Sequence, residues 1–370
     1  MFLKEKIGLV YFLAPFLPIV KNKSALILSI IFNRKNYTIK LKNGFMKKFK
    51  ASQYFTMLSF VGVLKYASSF NVDNNGKLEL IFDMKNKFVI SLNNLTYEDE
   101  NLFELLYLGT RYGGYFIPDK KIKLNNFGDK VFKIYVEDGK RIIETLDGVK
   151  FFIDSIHPGN SIVETFIKNI HMIDSTYDWN KKIIIDVGAE CGDTPLYFAR
   201  KGAKVYAFEP VKTHFDAMMR NLRLNPTISD NITPINAAIG KDEMLTFFES
   251  TKPGGGAGAS FVYNNQGKDF KTTQVKGYKL ITALKEFGIS HVDFLKMDCK
   301  GCQFFLTPED LEIVDRIKIE YAINDNKFNL EQLLETLRIS NFDYKIYRTN
   351  EKNPRSNKFG ANIYAFKRTD

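Results

Sequence analysis

The chain has 370 residues, 45% of them hydrophobic and 26% charged, which excludes a disordered polymer and allows one large domain or two. Its net charge of +11 lies almost wholly in residues 1–50, where eleven Lys and Arg face the single acid Glu5. Three cysteines (Cys191, Cys299, Cys302) argue against a disulfide framework and for a reducing interior, and Cys299-x-x-Cys302 lacks the second pair a zinc site wants, so small residues at a helix start are the plainer reading.

The first predicted element is the apolar run Ile7 to Val20, too short for the roughly 20 residues that span a bilayer and interrupted by Pro15 and Pro18. With Ala25 to Phe32 it reads as two short elements packed on an N-terminal domain. An interfacial anchor seated by lysines on an anionic membrane face, or a cleaved signal, are the other readings. From Tyr37 short strands alternate around turns. Tyr37 to Leu41 and Met46 to Lys50 flank Asn43-Gly44, a hairpin signal. Helices are expected over Ser52 to Ser69 and Glu98 to Tyr112. Further strands are expected over Leu78 to Phe82, Phe88 to Leu92, Val131 to Val136, Arg141 to Thr145 and Val149 to Ile153. Residues 1–155 therefore read as an α+β accessory domain without a chemical motif. A helix over 161–175 follows, with Ser161 and Glu164 placed as a capping box. His157 and His171 flank and occupy it; a lone His is more often structural than catalytic.

Residues 156–370 change to a βα rhythm. The run Ile183-Ile184-Ile185-Asp186-Val187-Gly188-Ala189-Glu190-Cys191-Gly192 is a β-branched strand ending in an acid and a glycine turn, with a helix next. Strand, glycine turn and helix make a nucleotide-cradling unit. The glycine spacing is neither that of a dinucleotide fold nor that of a P-loop. The next strand, Lys204 to Phe208, ends at Glu209-Pro210, where a carboxylate that accepts both ribose hydroxyls is expected. Strands at Ile232 to Asn236, Val292 to Met297 and Ile317 to Tyr321, with helices at 211–224, 281–287 and 329–339, continue the pattern. Leu245 to Glu249 and Gln274 to Tyr278 flank a glycine-rich stretch, Pro253 to Ser260, read as a lid or a plain linker. Tyr344 to Arg348 and Ala361 to Lys367 would close the sheet as an antiparallel pair across a polar loop, 349–360.

Three motifs in this order, Asp186-Val187-Gly188-Ala189-x-x-Gly192, Phe208-Glu209-Pro210 and Asp293-Phe294-Leu295-Lys296-Met297-Asp298-Cys299-Lys300-Gly301, resemble the FkbM-type methyltransferases over roughly residues 160–370. The resemblance implies an α/β fold, a Rossmann-like class I methyltransferase sheet that is mostly parallel with a closing antiparallel strand. It also implies S-adenosyl-L-methionine as cofactor and O-methylation of a sugar or glycan hydroxyl. Asp186, Gly188, Ala189, Gly192, Glu209, Pro210, Asn236 and Ala237 are the implied cofactor-binding residues, Asn236 reading the adenine amine or merely capping its loop. Asp298 is the expected general base, with Glu320 and the histidines His157 and His171 in reserve and Lys296 lowering the acceptor's pKa or pairing with Asp298. The pattern departs from the family twice: Lys300 stands where relatives carry an acid, and Ala322 where they carry a His. Nothing in the carboxylate spacing calls for a metal. A nucleic-acid methyltransferase gripping through the basic N-terminal segment, or a non-catalytic cofactor-binding protein, are the alternatives. Nucleic acid is the less expected partner. A small-molecule or glycan acceptor is expected, with a cytoplasmic chain that can touch the inner membrane face.

Overall fold

A computed structural model of the chain describes residues 10, 13–67, 69–73, 75–81, 87–111, 132–167, 169–171, 176–250, 260–261, 270–321, 330–348 and 361–368. The start of the apolar run at Ile7, the glycine-rich stretch 251–259, Ala322 and the polar loop 349–360 lie outside them. The chain divides into two compact units, Met1–Tyr135 and Val136–Asp370. The sequence places the boundary near residue 155. The hairpin Lys140–Thr145 and Lys150–Phe152 instead falls in the second unit, because Asn221 and Asn225 hydrogen-bond the backbone at Phe152 and Lys150.

In the first unit Asn36–Lys40 pairs antiparallel with Met46–Lys50, with Gly44 at φ 94 supplying the left-handed turn residue. The helix Tyr97–Arg111 begins at Thr96, whose hydroxyl accepts the Asp99 N–H while the Asp99 carboxylate accepts the Thr96 N–H. That helix packs on Tyr54–Tyr66, with the Phe60 and Phe103 rings edge-to-face at 5.7 Å. Ser69–Val72, Lys77–Ile81 and Lys87–Ser91 form a small antiparallel sheet. Leu13 and Val20 are buried in this unit, and Val20 bridges to Leu41.

The second unit is built on a seven-stranded sheet: β1 (Ile183–Val187), β2 (Lys204–Phe208), β3 (Ile232–Ile235), β4 (Phe294–Met297), β5 (Arg316–Tyr321), β6 (Phe342–Arg348) and β7 (Ala361–Lys367). The order is β3-β2-β1-β4-β5-β7-β6, with β7 antiparallel to both neighbours and β1 to β5 parallel. Strand order reverses between β1 and β4, so a crevice opens at their carboxyl ends. The central strands β1, β2 and β4 are short apolar runs that bury both faces, whereas the edge strand β6 alternates half-buried and exposed residues. On one face Ile185, Val187, Leu295, Met297, Ile317 and Ile319 join the helices Leu280–Glu286 and Leu330–Ile339 in the main core. The other face is divided. Near the amino ends Phe294 packs against Trp179 and Phe198, with ring centroids at 5.3 and 5.4 Å. Nearer the carboxyl ends the same face is charged: Asp186, Lys296, Lys318 and Tyr364 are successive cross-strand partners on β1, β4, β5 and β7.

The expected strands near 245–249 and 274–278 do not join this sheet. They are Met244–Ser250 and Phe270–Tyr278, an antiparallel pair in a separate three-stranded sheet with Ala238–Ile239. The helix expected over 161–175 runs instead from Pro158 to Ile167 as a wide π-type helix. Ser161 lies inside it and is buried, its Oγ accepting the His157 N–H, so it does not cap the helix.

Candidate active site

The glycine turn after β1 carries backbone that L side chains rarely adopt: φ is +85 at Gly188, +46 at Glu190 and +86 at Gly192. A Cβ at Gly188 would stand 2.2 Å from the Asp298 carbonyl oxygen, so only glycine lets the turn seat against the end of β4. Glu209, buried at the end of β2, accepts the Glu190 N–H on Oε2 and the Val211 N–H on Oε1, each at 2.8 Å. One carboxylate thereby ties two loops together, and each oxygen keeps acceptor capacity. His214 Nδ1 lies 3.6 Å from Glu209 Oε1. Burial alone would lower the His214 pKa, but Glu209 outweighs it and raises it. Glu190 pairs with His157 at 3.0 Å.

Between these loops lies a cleft of about 680 Å³, open mouth included, lined by Gly188, Glu209, Pro210, Ala237, Phe247 and Phe261 among others. A second, polar cavity of about 490 Å³ adjoins it and takes in Glu164, His171, Lys296, Lys318 and Glu320. Asn160, Gly188, Glu190 and Asp298 line both.

The cavity's charges are arranged in two groups. Asp186 is fully buried and its Oδ1 lies 2.9 Å from Lys296 Nζ, which also donates to the Gly188 carbonyl at 2.8 Å. Burial pushes the Asp186 carboxyl up to about 6, against the pull of Lys296, and Asp186 in turn holds Lys296 charged despite burial. The second group is Lys300, whose Nζ reaches Asp298 Oδ1 at 2.6 Å and Glu320 Oε1 at 3.1 Å. Burial would raise the Asp298 carboxyl, but Lys300 and Lys296 overcome it and hold Asp298 well below the carboxylate range. Glu320 moves the other way, raised by burial and by the charge on Asp298.

Several expectations need correcting. Lys296 pairs with Asp186 rather than Asp298, because these two are direct cross-strand partners while Asp298 lies past the strand end, beside Lys300. Asp298, the expected general base, is held by Lys300, whose ammonium keeps its carboxyl well below the usual carboxylate range. Gly188, Glu209, Pro210 and Ala237 line the cofactor-sized cleft, whereas Asp186, Ala189, Gly192 and Asn236 do not. Asn236 instead donates to the carbonyls of Glu209 and Pro210, at 2.8 and 3.2 Å. Lys300, the charge reversal in the third motif, bridges the carboxylates of Asp298 and Glu320. Cys299 and Cys302 form a disulfide rather than standing as free helix-start thiols. The positive φ of Lys300 (50) and Gly301 (129) folds the chain back and brings the two Cα atoms to 5.5 Å. Lys318, Glu190 and His214 were not singled out as site residues, whereas His171, a reserve base on sequence, does line the polar cavity. Lys318 was legible: it lies two residues before Glu320 on a strand, hence on the same face.

A seven-stranded sheet in this order, with one antiparallel strand and a cleft at the carboxyl ends of β1 and β4, is the fold of class I methyltransferases. Residues 186–346 match the family described as methyltransferase FkbM domain, and this stretch of the chain is such a domain. Solved structures that overlap it include the methyltransferase domain of METTL16, at 13% identity and TM-score 0.39, covering 85% of this chain and 92% of that one. Magnesium protoporphyrin IX methyltransferase from Synechocystis PCC 6803, with bound S-adenosylmethionine, overlaps at 10% identity and TM-score 0.30, covering 52% and 72%. Precorrin-6y C5,15-methyltransferase from Geobacter metallireducens overlaps at 11% and 0.30, covering 51% and 81%. Comparison with curated proteins gives no match. The methyl donor of this domain is S-adenosylmethionine, and the residues fit it. The cleft wall at Gly188 is bare backbone that any Cβ would force apart, and the Glu209 carboxylate keeps free lone pairs at its rim.

Proposed function

We propose that the chain methylates a hydroxyl group of a sugar or glycan held in the polar cavity. The observation that carries this reading is the pairing of the two spaces. A mixed apolar cleft meets, through Gly188 and Asp298, a cavity whose described lining contains carboxylates, lysines and threonines but no Phe, Tyr or Trp. Carboxylates and ammonium groups suit a polyol, which offers donors and acceptors on every carbon. A nucleobase acceptor is ordinarily stacked on aromatic rings.

When bound, S-adenosylmethionine supplies a methyl carbon activated by a positively charged sulfur. Glu209 would hold the ribose hydroxyls, and Ala237 with the Phe247 and Phe261 side chains would give the adenine an apolar seat. Asp298, held ionised by Lys300, would accept a hydrogen bond from the acceptor hydroxyl and orient it, and such positioning supplies much of the rate of a displacement. The test is a panel of nucleotide sugars and oligosaccharides with isotope-labelled donor, read as the mass of one added CH₂, with RNA transcripts in parallel. Label on saccharide is expected; label on RNA alone would overturn the acceptor class. Asp298→Asn should lower kcat/KM about 10²-fold while cofactor affinity holds.

The basic first unit exposes Leu28, Phe32 and Phe55 among its lysines, which supports docking on an anionic lipid surface. No helix of the described residues is long and apolar enough to cross a membrane.

A further inference from the structure

Lys318 is a buried amine on the polar face of β5, 2% exposed, at the wall of the acceptor cavity. Its Nζ lies 3.2 Å from His171 Nδ1. On the other side of the ring, His171 Nε2 lies 3.2 Å from Thr165 Oγ1, and Thr165 gives its one hydroxyl proton to Asp193 Oδ2 at 2.7 Å. Thr165 is therefore an acceptor toward the imidazole. With Nε2 carrying the ring proton, Thr165 and Thr194 (Oγ1 at 3.4 Å) both face it as acceptors, and Nδ1 presents its lone pair to Lys318. One N–H of the amine is fixed on His171, and this orients the rest of the group. Burial, then Lys318 and Lys296, keep the imidazole from charging. Burial, then Lys296, pushes the Lys318 ammonium down to about 8, although Asp298, Glu320 and Glu164 pull the other way. Lys300 pairs with two of those three acids and offsets one of their charges.

We propose that Lys318, oriented by His171, takes the proton that the acceptor hydroxyl releases during methylation. The proposal rests on the hydroxyl-methylation reading above. As the acceptor oxygen bonds the methyl carbon, the carbon–sulfur bond breaks to leave a neutral thioether. The O–H bond gives its proton to Lys318 Nζ, and the amine becomes an ammonium. One positive charge leaves sulfur and one appears on nitrogen, so charge and atoms balance. Asp298 is already engaged by Lys300 at 2.6 Å and serves as the hydroxyl's hydrogen-bond acceptor. His171 is a positioning residue.

Two measurements on the full chain test this. The first is a ¹³C NMR titration with lysine labelled at the ε carbon, assigned by the signal that Lys318→Met removes. A midpoint near pH 8 is expected; a midpoint above pH 10 overturns the proposal. The second is kcat/KM against pH on a saccharide acceptor. The wild-type rate should climb tenfold per pH unit below about 8 and then level. Lys318→Met and Lys318→Arg should both lose about 10²–10³-fold together with that inflection, with S-adenosylhomocysteine affinity within threefold of wild type. Arg keeps the charge but cannot give up a proton, so recovery of activity by Lys318→Arg would reduce Lys318 to a structural cation. An inflection that survives in Lys318→Met and vanishes in Glu320→Gln would move the role to Glu320. Failure of every saccharide to accept label removes the acceptor class, while the NMR titration still decides whether Lys318 is a base at all.

Discussion

At the residue scale the buried Asp186–Lys296 pair shows what one side chain can hold. Lys296 neutralises an acid at zero exposure and fastens the glycine turn through the Gly188 carbonyl. Removing one member leaves the other charge uncompensated, so Asp186→Asn should cost roughly 3–5 kcal/mol in urea unfolding. A loss under 1 kcal/mol would show that the pair is not desolvated as described. Lys318 makes a pH prediction of its own. Its folded pKa of about 8 lies below the ordinary 10.5, so between these values the unfolded chain binds a proton the folded chain lacks. Stability from this group therefore rises as pH climbs through that window, and Lys318→Met should flatten the rise in unfolding free energy between pH 8 and 10. Motif residues such as Asp186, Gly188 and Lys296 were legible from sequence because their spacing is local. Their partners were not, because pairing depends on how β1, β4 and β5 register.

Among elements, the strands and helices of the second unit were legible nearly to the residue, since short β-branched runs alternate with amphipathic ones. The misreadings lie where tertiary contacts decide. The helix from Pro158 to Ile167 starts before its apparent capping box, and the expected strand over 274–278 begins four residues earlier, at Phe270, where it pairs with 244–250. The loop after β2 carries its own prediction. Glu209 accepts backbone N–H groups from the loop after β1 and from the start of the following helix, and it also lines the cleft. Glu209→Gln should thus weaken S-adenosylhomocysteine binding by about 1–3 kcal/mol on calorimetry, through loss of charge-assisted bonds. An unchanged heat and affinity would remove Glu209 from the ribose site. The Cys299–Cys302 turn was invisible to spacing alone. The same two cysteines, three apart, are a helix start or a closed loop according to the sign of φ at Lys300.

Over the whole molecule, net charge and chemistry fall in different units: the first carries the excess of positive charge, concentrated in residues 1–50, and every residue lining the two adjoining cavities belongs to the second. The chain should sediment with vesicles containing phosphatidylserine at low salt and be released near 0.5 M salt, as surface charges are screened. Retention on neutral vesicles to the same extent would rule out an electrostatic grip. The ionic row across β1, β4, β5 and β7 also bears on how the chain reaches its fold. Strand side chains alternate, so sliding β5 by a single position would carry Lys318 into the aliphatic layer and offer Ile317 or Ile319 to Lys296. Such a misthreaded intermediate strands a bare ammonium in hydrocarbon, and the polar stripe thereby acts as a proofreading device for assembly of the parallel sheet.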